Sequence, residues 1–279
     1  MIGISLHPPE FSQKGKTMPP YLADLIVINY NSRRYLPGCL ESLKKNSGSA
    51  TDYRIWVVDN GSTDRSVSYL RTLPRISVIY NSKNTGYGAA CNLGIQAGTG
   101  ECIFLLNSDI VVNPGWLEPL IRILKSSPRV AVAGPKLINS RGFIMGAGVV
   151  GSNARPVIRG WGEPDGPEKY HQAMEVLSVC GACMGIKRAL LSGLGLFDEH
   201  YFHYFEETDY CYNARFHGYK VMYCPESKVI HHGHGSCLDT AKLQKYYHDS
   251  NNYFQQKWAV FLKDETVYGD TVLNIPSPT

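Results

Sequence analysis

The sequence predicts an α/β protein whose mostly parallel central sheet is flanked by helices. Three observations carry this expectation. Short apolar, β-rich runs alternate with helical patterns through the first half of the chain, as in strand–helix–strand units. The polar clusters Asn29-Tyr30-Asn31, Asp59-Asn60-Gly61 and Asn107-Ser108-Asp109 stand at the carboxyl ends of those runs, where sheets of this kind bind ligands. With 279 residues, 43% hydrophobic and 19% charged, the chain is long enough for one large domain or two fused half-domains.

Asp24 to Asn29 is a β-rich run, and Leu36, Leu40 and Leu43 follow at helical spacing. Tyr53 to Asp59 reads as the next strand and Ser66 to Leu73 as a short helix. Ile76 to Tyr80 is a third strand, Ala89 to Ala97 a helix of small residues, and Cys102 to Leu106 a fully apolar fourth strand. Trp116, Leu117, Leu120, Ile121 and Leu124 form one helical face, and Val130 to Ala133 closes the alternation. From about 136 to 170 Gly and Pro are dense, which predicts loops and a hairpin. Beyond, Val176 to Cys180 reads as ordered, with a helix from about Lys187 and another from Thr208 to His217. Strands are expected at Lys220 to Cys224 and Lys228 to His231, then a long helix from about Thr240 to Leu262. Residues 1–20 read as a flexible N-terminal tail, 21–265 as one domain and 266–279 as a C-terminal tail.

A net charge of +4 without a run of five basic residues argues against nucleic acid. It suits a phosphate-bearing substrate or loose contact with an anionic membrane. Lys242, Lys245, Lys257 and Lys263 along the last helix are the residues for such a contact. No apolar stretch reaches the roughly 18 residues of a membrane span. The first residues carry Pro8, Pro9, Pro19 and Pro20 instead of the apolar core of a signal peptide. A cytoplasmic location, open to peripheral contact at the inner face of the plasma membrane, is therefore expected. The eight cysteines, several inside apolar runs, read as buried thiols of a reducing compartment. Cys180 and Cys183 form a lone C-x-x-C without the second pair a zinc site needs.

The polar clusters suggest chemistry, and each also has a plainer reading. Asp59 can accept hydrogen bonds from a nucleobase or ribose, yet Asn60-Gly61-Ser62-Thr63-Asp64 is also turn and capping chemistry. Gly86 and Gly88 enter a helix of small residues that includes Asn92, allowing close approach of backbone to ligand. Asp109 suits a hard divalent cation or an Asx turn. Glu206, Glu207 and Asp209, set among aromatics, suit a general base of raised pKa or simply complement a helix dipole. His231, His232 and His234 follow a strand, and any of them can ligate a metal or be surface polar residues.

In order along the chain, these pieces resemble the inverting family-2 glycosyltransferases and, within them, the rhamnosyltransferase-like branch. The resemblance is carried by Ile26-Val-Ile-Asn-Tyr-Asn31, Val57-Val-Asp-Asn-Gly-Ser-Thr-Asp64, Asn84-Thr-Gly-Tyr-Gly-Ala-Ala-Cys-Asn92 and Leu105-Leu-Asn-Ser-Asp109. It continues through Gly181-Ala-Cys-Met-Gly-Ile-Lys-Arg188, Phe197-Asp-Glu199, Tyr204-Phe-Glu-Glu-Thr-Asp209 and His231-His-Gly-His-Gly-Ser236. It implies a GT-A fold with a nucleotide-sugar-binding half at about 21–135, an acceptor-binding half at about 136–239 and a C-terminal helix at about 240–265. It implies a nucleotide-sugar donor and a glycan or lipid-linked saccharide acceptor. By position, Asp59 meets the nucleobase or ribose, and Asn29, Asn31, Gly86, Asn92, Asn107 and Ser108 complete the candidate donor set. Asp109 stands at the family's metal motif, where Asn107 replaces the usual first Asp, and His231 matches the histidine that completes a Mg or Mn site. Glu207 occupies the base position, where relatives usually carry Asp; Glu206 and Asp209 are its rivals.

Two other functions compete. A non-catalytic module binding nucleotide-sugar or saccharide requires loss of the metal and base acids, and both positions still carry acids. A nucleotidyltransferase requires a Gly-rich basic loop after the first strand, where this chain has Asn29-Tyr30-Asn31-Ser32.

Overall fold

The computed structural model describes residues 3–5, 22–49, 52–74, 76–233 and 239–268. After β1 (Gly3–Ser5), the first half alternates: β2 (Ala23–Asn29), α1 (Leu36–Asn46), β3 (Tyr53–Asp59), α2 (Ser66–Leu70), β4 (Ser77–Tyr80), α3 (Tyr87–Ala97) and β5 (Cys102–Asn107). Then come β6 (Ile110–Val112), α4 (Leu117–Lys125), β7 (Val130–Ile138), β8 (Ile144–Gly146), and the hairpin of β9 (Val149–Ser152) and β10 (Arg155–Ile158). The chain continues through β11 (Met174–Glu175), β12 (Cys183–Lys187), α5 (Leu191–Leu194), α6 (Glu206–Phe216), β13 (Lys220–His231) and α7 (Thr240–Lys257).

The large sheet runs β1-β4-β3-β2-β5-β12-β7-β13-β11, with β6 beside β13 and β8 beside β7. Strands β4, β3, β2 and β5 are parallel, as the alternation predicts. The second half makes the sheet mixed: β12 lies antiparallel between β5 and β7, while β7 and β13 pair in parallel.

All seven residues of β2 are buried, because helices cover both faces. Leu25 and Val27 join α1 and α4 in one core; Ile26 and Ile28 join α3 and α6 in the other. This is the two-residue period of a strand buried on both sides. At Gly94 of α3 a Cβ would stand 2.3 Å from Ile26 Cγ2, so that glycine lets the helix rest directly on β2.

Several expectations are corrected. Residues 3–5 of the presumed N-terminal tail add an antiparallel edge strand to β4; residues 6–21 lie outside the described ones. Residues 176–180, expected to be ordered, carry an isolated bridge between Ser178 and Val149. The strand that follows, β12, passes Phe104 and Leu124 at Gly185, where a Cβ would stand 2.8 Å from Phe104 Cε1. The helix expected from Lys187 is only a 3-10 turn and the four residues of α5. The two strands expected at 220–231 are one continuous twelve-residue strand, with a register shift between Cys224 and Lys228. Helix α7 ends at Lys257, and a 3-10 turn follows at Phe261–Lys263. In the presumed C-terminal tail, Tyr268 pairs its backbone with Gly151. Seven described cysteines are free and all but Cys180 are buried; Cys237 lies outside the described residues.

One buried acid pins the sheet to its edges. Asp24 is fully buried in β2 and accepts hydrogen bonds from Trp56 Nε1 (3.1 Å), Gly100 N (2.6 Å) and Arg188 Nη2 (2.8 Å). Removing the carboxylate strands two buried donors and a half-buried charged one. We expect Asp24→Ala to lower unfolding stability by about 3 kcal/mol, read as the shift in urea midpoint at constant slope. A shift under about 1 kcal/mol would show that the network is dispensable.

Candidate active site

The parallel strands deliver the first polar group. Buried Asn29, at the end of β2, donates through Nδ2 to Asp59 Oδ2 (2.7 Å) and Ser62 Oγ (3.1 Å). Asp59, at the end of β3, accepts the Ser62 amide at 3.0 Å. Asn31 takes a left-handed φ of 50° and accepts the Thr63 amide at 2.7 Å. These bonds latch the loops after β2 and β3 together, and the buried Asn29 Oδ1 keeps no partner within the protein.

Gly86 closes the next loop. Its φ is +92°, and a Cβ there would lie 2.6 Å from the Phe202 carbonyl oxygen. Only glycine fits this meeting of the α3 entry with the loop before α6. Asn60 secures the loop from behind, donating to Asn84 Oδ1 and Gly86 O at 3.0 Å each. Asn92 departs from its expected donor role. Its amide donates to Phe197 O and Glu199 Oε1 and its Oδ1 accepts the Phe197 amide, so it braces α3 against residues 197–199.

The turn between β5 and β6 carries Asn107, Ser108 and Asp109, the last two buried. The Asn107 amide donates to Ala182 O, which ties this turn to the start of β12. Strand β6 then pairs with β13 so that Ile110 faces His231. This register brings His231 Nε2 to 3.3 Å from Asp109 Oδ1, close enough for one cation to touch both. Among the described residues no third His, Cys, Asp or Glu joins them. The two donors fit a divalent cation only if the remaining positions come from water or a substrate diphosphate. His232 points elsewhere and stacks on Tyr35, centroids 5.2 Å apart. His234 lies outside the described residues.

The three acids of α6 are sorted by helix geometry. Asp209 is buried and held by Tyr201 OH (3.0 Å), Lys257 Nζ (2.9 Å) and Trp258 Nε1 (2.8 Å); it is a structural anchor for α7. Glu206 turns toward α3, within reach of Gly88, and its buried Oε2 has no partner. Burial, and then the neighbouring Glu207, hold Glu206 well above the ordinary carboxylate range. Glu207 lies against Gly181 and lines a cavity of about 290 Å³. Burial raises its pKa, while the amides of Glu207, Thr208 and Gly181 act against that rise. Cys180 lines the same cavity as Glu207. Glu207 and the turn that carries Asp109 therefore both meet one short segment, residues 180–182.

The aromatic wall expected before α6 is spent elsewhere. Phe202 packs on Tyr246, Tyr204 on Tyr247, and Phe205 on Tyr247 and Phe254; Phe205 alone of the three also lines the cavity. Lys257, expected to reach a membrane, pairs with Asp198 and Asp209. Lys242 and Lys245 lie beside Asp239 and Asp249. The sequence reading missed the cavity. Its only signal was the two-residue spacing of Pro156 and Ile158, which share the cavity face of β10 while Val157 does not.

Residues 24–194 match the family model described as glycosyl transferase family 2. The N-acetylglucosaminyl-diphospho-decaprenol L-rhamnosyltransferase of Mycobacterium tuberculosis is 24% identical over 258 residues, covering 82% of each chain. The low-salt glycan biosynthesis hexosyltransferase Agl10 of Haloferax volcanii is 25% identical over 90% of this chain and 80% of its own. In fold, the chain is similar to GalNAc-T7, solved with UDP, GalNAc and Mn2+, with a TM-score of 0.62 and 16% identity over 86% of this chain and 57% of that one. It is also similar to the Pyrobaculum calidifontis mannosyltransferase PcManGT, solved with GDP-Man and Mn2+, with a TM-score of 0.58 and 16% identity over 91% of this chain and 69% of that one.

Proposed function

Since the chain belongs to glycosyl transferase family 2 and is a glycosyltransferase of GT-A fold, we propose that it moves a sugar, rhamnose first among candidates, from a nucleoside-diphosphate donor to a hydroxyl of a glycan or lipid-linked saccharide, with inversion. The observation that supports this reading is that one short segment meets both: Glu207 lies against Gly181, and the Asn107 amide, two residues before Asp109, donates to Ala182 O. The rhamnosyltransferase relative supports the sugar and the class of acceptor.

In the proposed reaction the acceptor hydroxyl gives its proton to Glu207. The oxygen attacks the anomeric carbon opposite the leaving group, a carbon–oxygen bond forms there, and the bond to the diphosphate breaks. Asn29, Asn31 and Asp59 hold the nucleoside end, with Gly86, Asn107 and Ser108 beside the diphosphate. Asp109 and His231 would hold Mg or Mn, which supplies positive charge against the departing diphosphate. A panel of nucleotide sugars tests the class: release of nucleoside diphosphate supports transfer, whereas exchange of inorganic pyrophosphate or binding without turnover replaces it. No described helix is long and apolar enough to cross a membrane; a cytoplasmic site, with peripheral contact at the inner face of the plasma membrane, fits a lipid-linked acceptor.

The base sets the pH profile. It works only when ionised, and burial moves its pKa up from the ordinary 4.5. The transfer rate should thus fall about tenfold per pH unit below a limb lying above 4.5. A rate level down to that value would remove Glu207 as the base.

A further inference from the structure

The cavity beside Glu207 is walled mainly by hydrocarbon, with Leu137, Val149, Ile158, Val179 and Phe205 facing it. Besides Glu207, its side-chain hydroxyls come from Ser178, Thr208 and Tyr212, and Tyr212 already donates to Asn153 O at 3.3 Å. A pyranose carries several hydroxyls, each of which loses water's hydrogen bonds on entry and needs a replacement. Too few partners stand here to replace them. A hydrocarbon chain loses nothing of that kind and gains by leaving water. The apolar wall also continues outward: Ile158 and Trp161 line the cavity and remain 47% and 63% exposed. Singly exposed apolar residues are ordinary, but here they form the mouth of an apolar cavity with a carboxylate inside it.

We propose that this cavity is a subsite for an alkyl chain of the acceptor, carried next to the hydroxyl that reacts. The assignment rests on the reading of Glu207 as the acceptor-side base. The occupant is a chain from the acceptor, because the single carboxylate in the lining is the one that must meet its hydroxyl. The acceptor polar face then meets Glu207, and its chain runs along Val149 and Ile158 toward Trp161.

The molecule contains its own reporter. Of four tryptophans, Trp56, Trp116 and Trp258 are at most 7% exposed, against 63% for Trp161, so acrylamide quenching reads Trp161. The probes are n-alkyl β-D-glucosides from methyl to octyl, held below their micelle concentrations. Affinity should rise about fourfold per methylene until the cavity is full, with glucose and methyl glucoside leaving quenching unchanged. Ile158→Asp, at an exposed position, should weaken octyl glucoside at least tenfold while circular dichroism stays unchanged. Affinity independent of chain length, or protection by glucose alone, overturns the subsite. The two readings separate cleanly. A rising series in a Glu207→Gln variant that still transfers keeps the subsite and moves the base; a flat series with that variant inert keeps the base and removes the subsite.

Discussion

Glu207→Gln should lower the transfer rate by about 100-fold or more, the scale supplied by positioned proton transfer, with donor binding nearly unchanged. Gln preserves size and polar contact but cannot take the acceptor proton. The rivals behave differently for structural reasons. Asp209 is saturated by Tyr201, Lys257 and Trp258, so Asp209→Asn should lower the melting temperature and reduce activity through lost folded protein. Burial, and then the neighbouring Glu207, raise Glu206 well above the ordinary carboxylate range. Glu206→Gln should leave most of the rate, because Glu206 turns toward Gly88 of α3 while Glu207 lines the cavity. Near-normal transfer by Glu207→Gln beside an inert Glu206→Gln moves the base one residue.

Asp109→Ala should abolish cation-stimulated turnover, and a chelator should do the same to the unmodified enzyme. Asp109 and His231 are the only candidate ligands brought together among the described residues, and Asn107 stands where a second carboxylate would add charge. On the proposed assignment the pair should bind the cation weakly alone, and better once a diphosphate supplies oxygens. Calorimetry with Mn2+ should show strong binding only when nucleoside diphosphate is present. Loss of one preorganised charge at a leaving group costs roughly 10²- to 10³-fold. His231→Ala should weaken the response and His232→Ala, which only unstacks Tyr35, should matter little. Full turnover in chelator, or His232 as the critical histidine, removes this assignment.

The parallel half of the fold was legible because its strands are largely apolar and its polar clusters sit at strand ends. Asp59 and Asp109 could be placed at those ends for that reason, and the roles proposed for them come from the family resemblance. The pairing of Asp109 with His231 was legible only through the family resemblance, since it depends on the β6–β13 register, which joins residues over a hundred positions apart. Asn92 misled because its motif is shared by residues that touch ligand and residues that brace; only its bonds to Phe197 and Glu199 decide. The cavity was invisible because a Gly- and Pro-dense stretch reads as loop, whereas its apolar side chains converge only after the β9–β10 hairpin forms.

Tyr204 and Phe205 both hold left-handed φ, 69° and 70°, just before α6. Each such backbone costs roughly 1–3 kcal/mol, and the rings of α7 offset it through Tyr247 and Phe254. This has a consequence for synthesis. Every proposed catalytic residue has left the ribosome once His231 emerges, yet the turn that aims Glu207 has nothing to rest against until residues 246–258 follow. A nascent chain is therefore able to build its parallel strands early and remain inert until residues 246–258 have followed, rather than gaining activity as the sheet grows.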